Sequence, residues 1–187
     1  MARERGFDAR RLDLPAFAAA GATLASEAAQ ADLGRLRDNL VPLPADAAPA
    51  PVRWSARGEL RPVSGGAPQP WLHLEVDSTV ALQCQRCLQP MLSPLTVDRW
   101  FRFVADEDEA ARLDEEVEED VLAVSRSFDL LALVEDELIL ALPIVPRHEA
   151  CPEPLLPPQA EADEPDAEES PHPFAALAAL RRPPGGG

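Results

Sequence analysis

Apolar and polar positions alternate with a period of two over three stretches in the middle of the chain. In "VRWSARGEL", Val52, Trp54 and Ala56 fall on one side, and Arg53, Ser55 and Arg57 on the other. "WLHLEVDSTVALQC" sets Leu72, Leu74 and Val76 against Trp71, His73 and Glu75, and resumes with Val80 and Leu82. "LTVDRWFRFV" alternates again, with Val97, Phe101 and Phe103 turned inward. This pattern predicts half-buried β-strands. The Gly- and Pro-rich "PVSGGAPQP" and the run "CQRCLQPMLSP" connect them, and such short connections favour antiparallel pairing.

Elsewhere the period lengthens. Residues 14–40 read as helical in two pieces, divided near Gly21–Ser26, with Leu33, Leu36 and Leu40 as the packed stripe. "FDLLALVEDELILALP" predicts a long helix over 129–142: Asp129 caps it, and Leu130, Val134, Leu138 and Ala141 line one side. Consecutive acids point in different directions on a helix, so Glu135, Asp136 and Glu137 read as its wet face. "DEDEAARLDEEVEED" at 106–120 holds ten acids and one arginine, which predicts a solvated loop or frayed helix. "VLAVS" follows as a short returning strand. The expected fold class is α+β: a curled antiparallel sheet of about four to six strands, packed with the N-terminal helices and the helix near 129–142.

Composition sets the domain plan. A chain of 187 residues suits one domain with appendages. Residues 1–151 read as a single α+β domain with an arginine-rich start. From 152 to 172 the sequence falls to Pro, Ala, Asp and Glu, which predicts an acidic disordered linker. Residues 173–182 recover helical character in "PFAALAALRR", where Phe174, Leu177 and Leu180 share a side suited to partner docking or to packing over an apolar patch of its own domain.

Charge narrows the partners. With 33 acids against 17 bases, every base an arginine, the net charge is −16. That excludes a protein coating itself with DNA or RNA, because phosphate contacts need positive potential. It suits a basic protein partner, or limited RNA contact through a patch such as Arg53, Arg57, Arg86, Arg99 and Arg102. Those arginines read equally as solvated strand faces. Arg10 and Arg11 before an Ala-rich stretch echo an export signal, but Asp13 and Pro15 interrupt it. No run approaches the ~18 apolar residues of a membrane-spanning helix.

Candidate chemistry is confined to the three cysteines and one histidine. An odd number of cysteines fits a reducing cytoplasm better than a disulfide framework. Cys84-x-x-Cys87 leaves a strand and enters a segment unable to form a good helix, which argues against a thiol–disulfide redox pair. His148-x-x-Cys151 follows a proline break with the same spacing, and the two halves together offer a tetrahedral Cys₃His zinc set. The alternative is a reduced pair on a hairpin with the other two residues merely nearby. No phosphate-binding loop, nucleophile elbow or H-E-x-x-H motif is present, and no catalytic residue is nominated.

Three stretches, "LQCQRCLQP", "FDLLALVEDELILALPIVPRHEAC" and the terminal "PFAALAALRR", occur in this order, and together the chain resembles the YceD family. The resemblance spans most of residues 70–151 plus the C-terminal segment. It implies a cytoplasmic, non-enzymatic factor for synthesis, processing or stability of large-subunit (23S) ribosomal RNA. The net charge of −16 then favours a route through a ribosome-assembly protein or a basic ribosomal protein. Two other expectations stand beside it: a small zinc-stabilised RNA-binding protein, and a CxxC redox protein. Some distant members carry a richer cysteine pattern after the proline break, where this chain has His148 and Cys151.

Overall fold

The computed structural model describes residues 6–43, 47–63, 65–114 and 116–152. Five strands form one open sheet in chain order: β1 (Thr23–Ala28), β2 (Val52–Arg61), β3 (Gln69–Gln83), β4 (Pro90–Val104) and β5 (Asp120–Ala123). The three strands predicted from alternation are the three central ones. Their apolar positions face one side: Trp54, Val76 and Val97 lie in one cross-strand row, and Gly58, Leu72 and Phe101 in another.

That face is covered by α1 (Leu14–Ala19), a 3₁₀ turn at Gln30–Asp32, α2 (Gly34–Arg37) and α4 (Leu130–Leu140). Leu14 and Phe17 of α1, Leu36 of α2, and Leu130, Val134 and Leu138 of α4 complete one core with the sheet. Asp129 caps α4 as expected, its carboxylate accepting from the Ala132 N–H at 3.0 Å. A smaller apolar cluster lies under α3 (Glu107–Asp114), where Ala110 packs on Val104 and Val121.

Three expectations need correction. The two helical pieces of 14–40 exist as α1 and α2, but what divides them is no mere break: Thr23–Ala28 is a strand, paired antiparallel to β2 along its whole length. Here ladder pairing beside β2 overrides the helical leaning of an Ala-rich sequence. The sheet is mixed, not wholly antiparallel, because β5 pairs parallel to β4. The acidic block supplies the reason: its helix α3 makes the crossover that parallel neighbours require. Glu135 and Glu137 are buried, at 9% and 5% exposure, not on a wet face.

The terminal helix expected at 173–182, with Phe174, Leu177 and Leu180, lies outside the described residues. So does the acidic linker beyond Pro152. Among the described residues no helix is long and apolar enough to cross a membrane.

Candidate functional site

The β3–β4 hairpin turns through Cys84–Leu88. Cys84 N–H donates to the Gln89 carbonyl at 3.0 Å, Leu88 N–H returns to the Cys84 carbonyl at 2.9 Å, and Leu88 takes a left-handed φ of 60°. This tight closure holds the two thiols of the CxxC on one side. Beyond α4, Pro143 and Pro146 end the helical path, and the Pro146 carbonyl accepts from the Gln85 N–H at 2.8 Å. One backbone bond thus delivers His148 and Cys151 to the hairpin.

The donor atoms of Cys84, Cys87, His148 and Cys151 all lie within 4.8 Å of one another. The Cys87 Sγ and His148 Nδ1 are 3.4 Å apart, and the His148 N–H points at the Cys84 Sγ from 3.5 Å. Zinc bonds of about 2.3 Å to sulfur and 2.0 Å to nitrogen put neighbouring tetrahedral donors roughly 3.5–3.8 Å apart. The cluster fits that ion in donor type, and the Cys87–His148 pair also in spacing.

Electrostatics agree with the geometry. Cys84 is fully buried, and burial opposes its thiolate. The N–H groups of Cys87, His148 and Arg86, with the His148 side chain, outweigh that cost and bring the thiol down to about 5. Cys87 moves the other way: burial, together with the Cys151 and Cys84 sulfurs beside it, pushes its thiol up. Zinc binding would require its cysteine ligands to be deprotonated.

Arg86, an exposed arginine of the suggested patch, belongs to this site. Its Nε donates to the Cys151 Sγ at 3.0 Å, and its Nη2 to the carbonyls of His148 at 3.1 Å and Glu149 at 3.4 Å. The guanidinium therefore clamps the His-x-x-Cys half onto the hairpin and offsets thiolate charge. A reactive redox cysteine needs solvent access. Cys84 has none, while Cys87 and Cys151 are partly exposed. A zinc ion held by all four would have no open position, the pattern of structural rather than catalytic sites.

The other arginines of the suggested patch do not gather in one place. Arg53, Arg57 and Arg102 lie on the sheet face opposite the core, while Arg99 lies on the core side opposite Leu74. Arg53 pairs with Asp77 at 2.9 Å, and Arg102 donates to the Gln69 amide at 2.9 Å. Arg99 bridges Glu137, at 3.0 Å, and Asp120. A second group of possible ligands, His73, Glu75 and Asp98, sits on the open face. Its histidine is already bonded to Asp98 at 2.7 Å and stacked on Trp100.

Fold and site together define a class: a small α+β protein whose central hairpin and post-helix loop assemble a Cys₃His cluster. The chain belongs to the YceD family, described as large ribosomal RNA subunit accumulation protein YceD, which matches residues 72–181. It is similar to the large ribosomal RNA subunit accumulation protein YceD of Haemophilus influenzae, 36% identical over 117 residues. That match covers 58% of this chain and 63% of the relative, so the chain spans under two thirds of the relative's length. No solved structure matches the chain.

Proposed function

We propose that this protein supports the accumulation of large-subunit ribosomal RNA without catalysing a reaction, by holding a basic protein of the assembling subunit in the cytoplasm. Family membership supports the RNA outcome. The observation that carries the protein route is the charge of −16, which draws cationic partners and repels extended nucleic acid. Two measurements test it. Loss of the protein should lower large-subunit relative to small-subunit ribosomal RNA. Tagged protein should retain a basic ribosomal or assembly protein from nuclease-treated lysate. Unchanged ribosomal RNA, or partners released entirely by nuclease, would count against the reading.

In the same reading, zinc held by Cys84, Cys87, His148 and Cys151 staples the β3–β4 hairpin to the segment after α4. A bound ion supplies folding energy rather than chemistry there. Protein purified without chelator should carry about one zinc per chain, and Cys84→Ser should lose both the metal and melting temperature. Metal-free protein whose stability is indifferent to Cys84→Ser would leave a reduced thiol cluster.

A further inference from the structure

The sheet face opposite the core carries flat side chains where no described helix covers it. Reading across β2, β3 and β4, one row is Arg57, His73 and Trp100, and the next is Glu59, Trp71 and Arg102. α3 reaches only the β4–β5 margin of this face, through Ala110 on Val104 and Val121. The Arg61 guanidinium lies 4.0 Å from the Trp71 ring centre and 4.1 Å from that of Trp100. His73 stacks on Trp100, with ring centres 4.4 Å apart and planes 17° from parallel. The result is a run of four planar groups in which Arg61 packs over a Trp71 that is only 7% exposed, while Trp100 stays partly exposed.

Charge on this face changes sign along the strands. Within β2, β3 and β4 at the Trp end, Arg57, Arg61 and Arg102 stand against Glu59 alone, a balance of 3 − 1 = +2, and the acidic α3 borders them beyond Arg102 at Val121. At the other end, Glu75, Asp77 and Asp98 outnumber Arg53. Arg57 and Arg61 share Glu59, while half-buried Arg102 meets no carboxylate among the described residues. A cationic island with two indoles is unusual in a chain of charge −16. Indoles, imidazole and guanidinium are the groups on which unpaired bases stack, and arginines take the phosphates between them.

We infer that the Trp71–Trp100 end of the open sheet face binds a short stretch of single-stranded RNA. A base enters the stack at Trp100 in the place now held by Arg61. Arg61, freed from the ring, joins Arg57 and Arg102 on the backbone phosphates. The acidic end repels the strand, so the contact is confined to a few nucleotides. With three arginines engaged, log affinity should fall with log salt at a slope of about −2, shallow for an RNA-binding protein. This goes beyond the proposed function, which needs a protein partner and no direct RNA contact; it rests on that reading only for the RNA's identity.

The test is fluorescence anisotropy with the full chain and a labelled single-stranded oligonucleotide of large-subunit ribosomal RNA sequence, against the same sequence as duplex. The expected result is single-strand preference, with affinity reduced about 10-fold by Trp100→Ala, the scale of one lost base stack. Arg102→Gln changes a partly exposed side chain and should weaken binding with melting unchanged, which guards against a folding defect in the Trp variant. Arg53→Gln at the acidic end should leave affinity intact. No binding at low salt, equal binding by Trp100→Ala, or a Trp100→Ala variant that loses a basic protein instead of RNA would each overturn the inference. Failure of the proposed function shows separately, as unchanged ribosomal RNA when the protein is absent.

Discussion

The Glu135 carboxylate supplies the cap that α2 lacks in its own sequence. Leu33, at the N-cap position, has no side chain able to accept a bond. Glu135 Oε1 instead accepts from the N–H groups of Arg35 at 2.7 Å and Leu36 at 3.1 Å, while Oε2 takes the Arg35 Nε at 3.1 Å. Burial works against this carboxylate, but the Leu36 N–H and the Arg35 guanidinium win and hold it below the ordinary range. A depressed value stabilises the fold above the ordinary carboxyl pKa of about 4.3, and that stabilisation is lost as pH falls through the folded value. Glu135→Ala should cost about 2 kcal/mol at pH 7 by urea unfolding, with the difference from wild type shrinking in acid. Glu137 has the opposite sign. Burial pushes its carboxyl up against the pull of Arg99, so its contribution is present at low pH and lost as pH rises through the folded value. Removing the counterion by Arg99→Gln should therefore destabilise by about 1–2 kcal/mol, and more at pH 8 than at pH 5. A pH-independent loss would remove Glu137 from the account.

Helix α1 can lie against β2 because residue 58 has no side chain. A Cβ there would stand 2.7 Å from Phe17 Cδ1 and 2.9 Å from the Ala18 Cα, and the second neighbour is backbone that cannot turn aside. Gly58→Ala should push α1 off the sheet and cost about 2–3 kcal/mol; a neutral result would mean that α1 is free to shift. No pattern in the sequence announced this approach, because "ARGEL" reads as ordinary strand. The β2, β3 and β4 strands were legible, since alternation records which face meets the core and needs only local sequence. Thr23–Ala28 was not, because an Ala-rich stretch becomes a strand only once β2 lies beside it. The buried state of Glu135 was hidden for a similar reason: its partners Arg35 and Leu36 lie about a hundred positions away. The cysteine and histidine spacing gave the donor set of the candidate centre, yet not the place of Arg86 in it. A lone arginine between two cysteines says nothing of the carbonyls that it will reach.

At the scale of the molecule, charge is divided unevenly along the chain. Residues 153–187 hold seven acids and two arginines, a net −5, which leaves −16 + 5 = −11 for residues 1–152. Among the described residues, the large core cluster runs from Leu12 to Leu138, ahead of the C-terminal stretch. The His148–Cys151 half of the candidate centre also precedes it. A chain ending at Pro152 should therefore melt as the full chain does and keep the same metal content. Capture of a basic partner should weaken, because five net negative charges no longer steer its approach. The difference should be largest at low salt and fade as the Debye length shortens to about 3 Å near 1 M. A loss of capture that persists at high salt would point to direct apolar contact by Phe174, Leu177 and Leu180 rather than to charge. A large fall in melting temperature would make the segment part of the fold rather than a steering appendage.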